Sequence, residues 1–422
     1  SLRVTATVDN GAIPAVASQS SQLIVSTGIP DQDSFSLAAE LLNAEGWNVE
    51  GTVVNITARM ADAFNNPVPD GTTVSFTTEG GSIQDACQTL KGACTVIWTS
   101  QLPRPEGSVL YNSLGVQTRN PQSGLKCFNV SDSSEDPTCS NANIVYGNYY
   151  DQKYGGRATI TATAIGEESF PDLNGNGRFD PSYEAERKEF LNKVDVSGER
   201  FDLDDAFNDY NEDSIFNPDP KDPALKGLAG GDLEELIDFN SNSQFDSADK
   251  RYNGVLCAKE LSSYNVNEPS AVNTASDIEM YCADGVAVAQ SLYVRRSLVM
   301  VMSGSKAYAT LPNDIIIVDR NGTHSGGSIE IVGKGSATAT FTISDLHNQQ
   351  MPAGTIVRFK TSAGSVVSTG EYTWPSSNYN GGRQFTTTLK GEDQPNSGVF
   401  IVEVESPGGL ITEVISIGVT IL

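Results

Sequence analysis

Three nine-residue stretches of the chain set oxygen-bearing side chains at fixed intervals. They are Asp172-Leu173-Asn174-Gly175-Asn176-Gly177-Arg178-Phe179-Asp180, Asp209-Tyr210-Asn211-Glu212-Asp213-Ser214-Ile215-Phe216-Asn217 and Asp238-Phe239-Asn240-Ser241-Asn242-Ser243-Gln244-Phe245-Asp246. All three read D-x-N-x-(N/D)-(G/S)-x-F-(D/N). Ca²⁺ takes about six to eight hard oxygen ligands at about 2.3 to 2.6 Å, and alternate residues of a tight turn can aim several of them inward. The expected ligands are Asp172, Asn174, Asn176 and Asp180, then Asp209, Asn211, Asp213 and Asn217, then Asp238, Asn240, Asn242 and Asp246. The main-chain carbonyls of Arg178, Ile215 and Gln244 would add a donor to each loop. Gly177, Ser214 and Ser243 supply the small residue that a sharp turn needs. Phe179, Phe216 and Phe245 are placed to anchor each turn on apolar neighbours.

This spacing resembles the first part of an EF-hand-type or dockerin-like calcium loop. The resemblance breaks at the twelfth position, where EF-hands carry a bidentate Glu and this chain has Tyr183, Pro220 and Asp249. Of these, Asp249 can ligate directly, while Glu184 and Asp222 are nearby substitutes. Ahead of the second and third loops, Leu203, Ala206, Phe207 and Tyr210, and then Leu233, Leu236 and Ile237, recur at helical spacing and predict short helices. Calcium is therefore the expected cofactor, and its setting is acidic. Residues 167–249 hold 23 acidic and 7 basic side chains, 16 of the 26 net negative charges of the chain. Without cations those carboxylates would repel one another and favour an open segment.

The elements around this segment read as β. Thr52 to Ala58, Thr73 to Thr77, Ala158 to Ala164, Ser336 to Ile343 and Thr355 to Lys360 are rich in β-branched residues and alternate in polarity, with Gly, Pro, Asn and Asp between them. Short alternating strands with frequent turn residues predict β-sandwiches, one face of each strand buried. The 422 residues allow two or three domains.

The chain also repeats itself. Residues 62–83 match residues 345–366 without a gap, with identities that include Asp62/Asp345, Asn65/Asn348, Pro69/Pro352, Gly71/Gly354, Val74/Val357, Phe76/Phe359 and Gly81/Gly364. A turn followed by a strand explains them: Asn and Gly tolerate left-handed backbone, and Val and Phe two apart share a face. Nothing in this unit is catalytic in type. Its pattern, D-x-x-N-x-x-x-P-x-G-T-x-V-x-F-x-T followed by Gly-Ser, is similar to the bacterial immunoglobulin-like group 1 (Big-1) domain, the family that includes the stalk repeats of invasin and intimin. The resemblance implies sandwiches of about 100 residues, in tandem, on exported bacterial proteins that act as spacers or adhesive modules. It implies that fold for roughly residues 31–165 and 326–422, and it brings no catalytic residues with it.

The six cysteines fall into local pairs, Cys87 with Cys94, Cys127 with Cys139 and Cys257 with Cys282. Neighbour pairing is the simplest of the connectivities, and an even set closing short loops fits an oxidising compartment. The bridges are expected to staple loops and not to cross between sheets. A net charge of -26 with no basic cluster argues against nucleic acid as a partner. The longest apolar runs, Val286 to Val294 and Leu298 to Met302, are too short to span a bilayer. The chain opens without an apolar leader, so any export signal is expected to lie outside it.

No active site emerges. Acidic pairs such as Asp204-Asp205 and Glu234-Glu235 arise by chance in so acidic a chain, and His324 and His347 read as exposed loop residues. Tyr149, Tyr150, Tyr154 and Trp374 are candidates for an exposed aromatic patch that is as readily packed. The expected organisation is a linker or the end of a preceding domain (1–30), a Big-1-like sandwich with disulfided loops (31–165), an acidic, partly helical calcium-loop insert (166–284), strands or connector (285–325) and a second Big-1-like sandwich (326–422). The expected function is non-enzymatic: a calcium-stabilised structural and adhesion module, extracellular or on the bacterial surface. The alternative is a calcium-dependent module binding a glycan or a host or cell-surface protein, accessory to a larger secreted enzyme.

Overall fold

Alternation writes the strands. In Val53–Met60 every second side chain, Val54, Ile56, Ala58 and Met60, is buried, and the residues between them face outward. This is the period-two pattern of a half-buried sheet. The computed structural model describes residues 3–8, 16–20, 26–105, 127–128, 135–136, 155–210, 212, 214–216, 234–258, 273–283, 292–310 and 312–422. Within them the protein is mainly β, with sheets packed as sandwiches.

In the first sandwich a sheet ordered Asn43–Glu45, Leu292–Ser303, Arg157–Gly166, Thr73–Thr78, Ala86–Gln88 packs on a sheet ordered Phe35–Ala39, Val53–Met60, Ala93–Thr99, Ser82–Ile83. Trp98, Val74, Ile160 and Met300 fill the space between them. The second sandwich follows the same order. Ile329–Ile331, Ile411–Ile421, Asn396–Glu405, Ile356–Thr361 and Glu371–Thr373 form one sheet. Gly322–Ser325, Ile316–Asp319, Ser336–Ser344, Arg383–Lys390 and Ser365–Val366 form the other. In both, the short first strand pairs parallel to the last: Asn43 lies opposite Val301, and Ile329 opposite Val419. The stretch read as strands or connector therefore divides. Leu292–Ser303 belongs to the first sandwich, and the strands from Tyr308 to Ser325 belong to the second.

The duplicated residues do the same backbone work twice. Asp62 Oδ1 accepts the amides of Phe64 and Asn66, and Asp345 Oδ1 accepts those of His347 and Gln349. Asn65 and Asn348 take left-handed φ of 59° and 61°. A Cβ at Gly81 would lie 2.7 Å from the Thr99 carbonyl oxygen and one at Gly364 2.3 Å from that of Lys390, so only glycine fits.

Between Gly166 and its register partner Leu292 the chain leaves the sheet and returns, so the acidic insert is a long excursion joining two adjacent antiparallel strands. Its apolar centre gathers Phe179, Phe190 and Tyr252 around the Cys257–Cys282 disulfide. The insert also lies over the outer face of the sheet. Thr159, Thr161 and Thr163 point away from the sandwich core yet are buried, and the Thr159 hydroxyl donates to the Asp209 carbonyl.

Two short α-helices are present among the described residues, Glu184–Asn192 and Ala275–Tyr281. The helices expected ahead of the second and third loops are not formed. Ala206–Asn208 and Glu235–Ile237 instead pair with each other as a separate two-stranded antiparallel sheet, in which each extended backbone satisfies the other's hydrogen bonds. The Cys87–Cys94 disulfide also departs from expectation. Cys87 sits in one sheet of the first sandwich and Cys94 in the other, so this bridge crosses between sheets. The expected Cys127–Cys139 pair lies outside the described residues at Cys139.

Candidate functional site

The three loops share the same left-handed turns. Left-handed φ occurs at positions 4 and 6 of each: Gly175 and Gly177, Glu212 and Ser214, Ser241 and Ser243. The first Asp of each loop accepts the position-6 amide, Gly177 to Asp172 at 2.8 Å, Ser214 to Asp209 at 2.8 Å and Ser243 to Asp238 at 2.6 Å. In the first loop the Asn174 and Asn176 side chains converge on one oxygen, donating to Asp180 Oδ2 at 2.7 and 2.6 Å. In the third, Asn240 and Asn242 converge on Asp246 Oδ2 at 2.6 and 2.8 Å. The structure thus brings together Asp172, Asn174, Asn176 and Asp180, and separately Asp238, Asn240, Asn242 and Asp246. Arg178 and Gln244 hold position 7 in these loops, their amides donating to the position-5 Asn side chains. Of the second set, Asp209 and Ile215 are described, and Asn211, Asp213 and Asn217 lie outside the described residues.

Each Phe at position 8 is engaged. Phe179 is fully buried in the insert's core, and Phe216 stacks on Phe245 with ring centroids 4.7 Å apart. The two described twelfth-position residues have local partners. Tyr183 caps a helix, and Asp249 Oδ1 accepts from the Arg251 amide and the Asn253 side chain. Glu184 pairs with Lys188 on the surface.

Two carboxylates from outside the nine-residue pattern also reach the loops. Glu186 is buried and accepts the Asp180 amide at 2.7 Å, and Asp205 accepts the Asp246 amide at 3.0 Å. Both thus serve position 9, one from the helix that follows its loop and the other from a segment 33 residues ahead of Asp238. Burial pushes the Glu186 carboxyl up to about 8 and also raises that of Asp205. The Ser243 amide, by contrast, holds Asp238 below the ordinary range. Among the described residues no three of His, Cys, Asp and Glu gather closely enough to hold an ion by themselves. An ion would draw on amide and main-chain oxygens as well, and that all-oxygen set suits a hard cation.

Beside the third loop lies a cleft of about 380 Å³ lined by Asp205, Asn240, Asp246 and Asp249, with Phe239 and Tyr293 edge to face at 4.8 Å.

The two sandwiches meet through directed hydrogen bonds. Asn43 is fully buried, and its amide donates to the Met351 and Pro375 carbonyls while its side-chain oxygen accepts from the Ser377 amide. Glu45 accepts from the Ser406 hydroxyl and the Gly408 amide, and Gly304 donates to Asp345. His347 is buried at this joint against Trp47, with ring centroids 4.0 Å apart, and is not the exposed loop residue expected. Burial pushes it down to about 3 and Asp345 up to about 6. Trp374 is likewise buried, its indole donating to Gln350, so it joins no exposed patch, and Tyr149, Tyr150 and Tyr154 lie outside the described residues.

Arg157 ties all three parts of the molecule together. From a strand of the first sandwich it grips Glu212 of the second loop through two bonds, 2.5 and 2.9 Å, and donates to the Asn378 carbonyl of the second sandwich at 2.8 Å.

No protein-family model matches this chain, and no curated protein matches it. Among solved structures it is similar to the D0-D1 domain of intimin, at 9% identity over 91% of this chain and 97% of that one, with a TM-score of 0.19. It is also similar to the Yersinia pseudotuberculosis adhesin InvE, at 9% identity over 93% of this chain and 60% of that one, with a TM-score of 0.22. The Escherichia coli adhesin FdeC is a further match, at 10% identity over 94% of this chain and 100% of that one, with a TM-score of 0.18. The sandwich architecture lies in the packing of the sheets themselves. Among the described residues no helix is long and apolar enough to cross a membrane.

Proposed function

We propose that this chain is a non-enzymatic structural and adhesion module of the bacterial surface or exterior, in which calcium orders the acidic insert and thereby fixes the angle between the two sandwiches. The Arg157 contact carries this reading. Glu212 sits at position 4 of the second loop, and a cation held by Asp209 and its neighbours would set the loop's shape and so the place of Glu212. Through Arg157 that place is passed to Asn378 and the second sandwich. The directed bonds of Asn43 and Glu45 make the joint rigid once it is set. Small-angle scattering of the whole chain with Ca²⁺ and with EDTA tests the reading: a fixed, extended particle is expected with the ion and a broader distribution of shapes without it. Identical profiles would remove it.

The cleft beside Phe239 and Tyr293 favours a second reading, a calcium-dependent module that binds a glycan or a host or cell-surface protein, accessory to a larger secreted enzyme. Aromatic edges next to carboxylate and amide groups suit sugar hydroxyls and their ring faces. A glycan array run in Ca²⁺ separates the two, since a spacer gives no hits.

A further inference from the structure

The cleft beside the third loop combines two kinds of lining. Part of it is apolar: Leu203, Ala206 and Leu292, with the rings of Phe239 and Tyr293 set edge to face at 4.8 Å. The rest is polar and made almost wholly of acceptors. Four carboxylates line it, those of Asp204, Asp205, Asp246 and Asp249, and no Lys or Arg is among the described residues that do so. Arg295 offsets the charge of Asp204, donating to its carbonyl and its carboxylate. The other three carboxylates share no such partner in the lining. Burial raises the Asp205 carboxyl, and the charges of Asp246, Asp238 and Asp204 raise it further.

The side-chain amides that could donate into the cleft are committed. Asn240 donates to Asp246 Oδ2 at 2.6 Å. Asn253 is 8% exposed, and its amide nitrogen donates to Asp249 Oδ1 at 3.3 Å and to the Arg251 carbonyl at 3.2 Å. Both of these partners are acceptors, which fixes the orientation of the amide. The Asn253 side-chain oxygen, which accepts no hydrogen bond, is the end left for the cleft. A buried amide oxygen without a donor costs free energy that a bound donor recovers. The remaining side-chain donors are the hydroxyls of Ser247 and Tyr293, which can equally accept. A sugar hydroxyl uses donors and acceptors alike, whereas a lining of acceptors suits a group that only donates. Ammonium and guanidinium are such groups. The guanidinium fits better, because its planar fork can reach carboxylates on separate segments at once, here Asp205 ahead of the third loop and Asp249 beyond its end. It also stacks on aromatic rings, and its aliphatic stem lies along apolar surface.

We propose that this cleft holds an arginine side chain of a partner protein, with the guanidinium between Asp205, Asp249 and the Asn253 side-chain oxygen and the stem against Phe239 and Tyr293. This rests on the second reading of the function, in which the cleft is a binding site, and commits that site to a protein. A volume of about 380 Å³ lies near the lower end for ligand sites, which suits a single side chain.

Calorimetric titration of the full chain in Ca²⁺ tests this, with an acetylated and amidated pentapeptide that has arginine at its centre and glycine elsewhere. The same peptide with citrulline in place of arginine keeps the shape and removes the charge. The arginine peptide should bind, and the citrulline peptide should bind about tenfold more weakly or not at all. Tyr293→Leu should weaken the arginine peptide about threefold. Asp205→Asn, whose amide oxygen can still accept the Asp246 amide, should weaken it about tenfold. Equal affinity for the two peptides, which needs no variant to fold, overturns the proposal, as does binding that both variants leave unchanged. A glycan that binds the parent but not Tyr293→Leu, while the arginine peptide gives no heat, also overturns it and leaves the cleft as a binding site. A parent that binds neither peptide nor glycan removes both readings.

Discussion

Arg157 and Glu212 form a two-bonded ion pair in which the guanidinium is 5% exposed and the carboxylate 25%. Its geometry matters more than its charge, because only a planar fork can hold both Glu212 oxygens and still reach Asn378. Arg157→Ala is expected to lower stability by about 2 to 3 kcal/mol, since it leaves a carboxylate and a carbonyl unpaired near the joint. Arg157→Lys should retain part of that stability yet loosen the angle between the sandwiches. Chemical denaturation with scattering on both variants checks this, and an unchanged particle shape for Arg157→Lys would refute it.

A second pair at the joint titrates in opposition. Asp345 is raised from 3.8 to about 6, so its fold prefers the protonated form, and the stability it lends is lost as pH rises from about 4 to 6. His347 is lowered from 6.5 to about 3, so its fold prefers the neutral form, and stability is lost as pH falls from about 6.5 to 3. The slopes cancel where they overlap. Unfolding free energy at successive pH values should be nearly flat near pH 5 from this pair. It should rise with pH in Asp345→Asn and fall with pH in His347→Phe, which keeps a ring against Trp47. Parallel curves for the two variants would contradict the assignment.

Much of the fold was legible because burial writes period two directly into the strands, and because the shared Asp, Asn and Gly residues answer to local backbone geometry. The position-6 turn and the Phe anchors were legible for the same local reason. What was not legible depends on packing across distance. Leu203, Ala206, Phe207 and Tyr210 match a helical stripe, yet pairing with the distant Glu235–Ile237 makes Ala206–Asn208 a strand. His347 looked exposed because Asn and Gln surround it, and only the docking of Trp47 buries it. Glu186 and Asp205 reach their loops from outside the nine-residue pattern, so no spacing rule points to them.

The insert's small core, centred on Phe179, depends on a covalent tie. The Cys257–Cys282 bridge spans 25 residues of chain, for which loop-closure entropy gives about 3.5 kcal/mol. Replacing both cysteines by serine should make the insert susceptible to protease while both sandwiches persist, as their cores share no residue with it. Limited proteolysis with mass mapping reads this out. Cleavage that begins instead within the Val53–Met60 sheet would show that the insert is not a separate cooperative unit.

Removing calcium tests the central reading most directly. A ligand present at about 100 times its dissociation constant stabilises the state it binds by about 2.7 kcal/mol per site. EDTA is accordingly expected to lower the melting midpoint by several degrees. In the double variant Asp180→Asn, Asp246→Asn, the carboxylate on which the two Asn side chains of each loop converge is lost, and the response to EDTA should shrink. Arg157→Ala separates ordering from transmission. Its insert should still melt at a calcium-dependent temperature, but its scattering profile should no longer respond to the ion. A midpoint that EDTA does not move in the parent chain would dismiss calcium from the three loops. A profile that still responds in Arg157→Ala would place the coupling elsewhere in the joint.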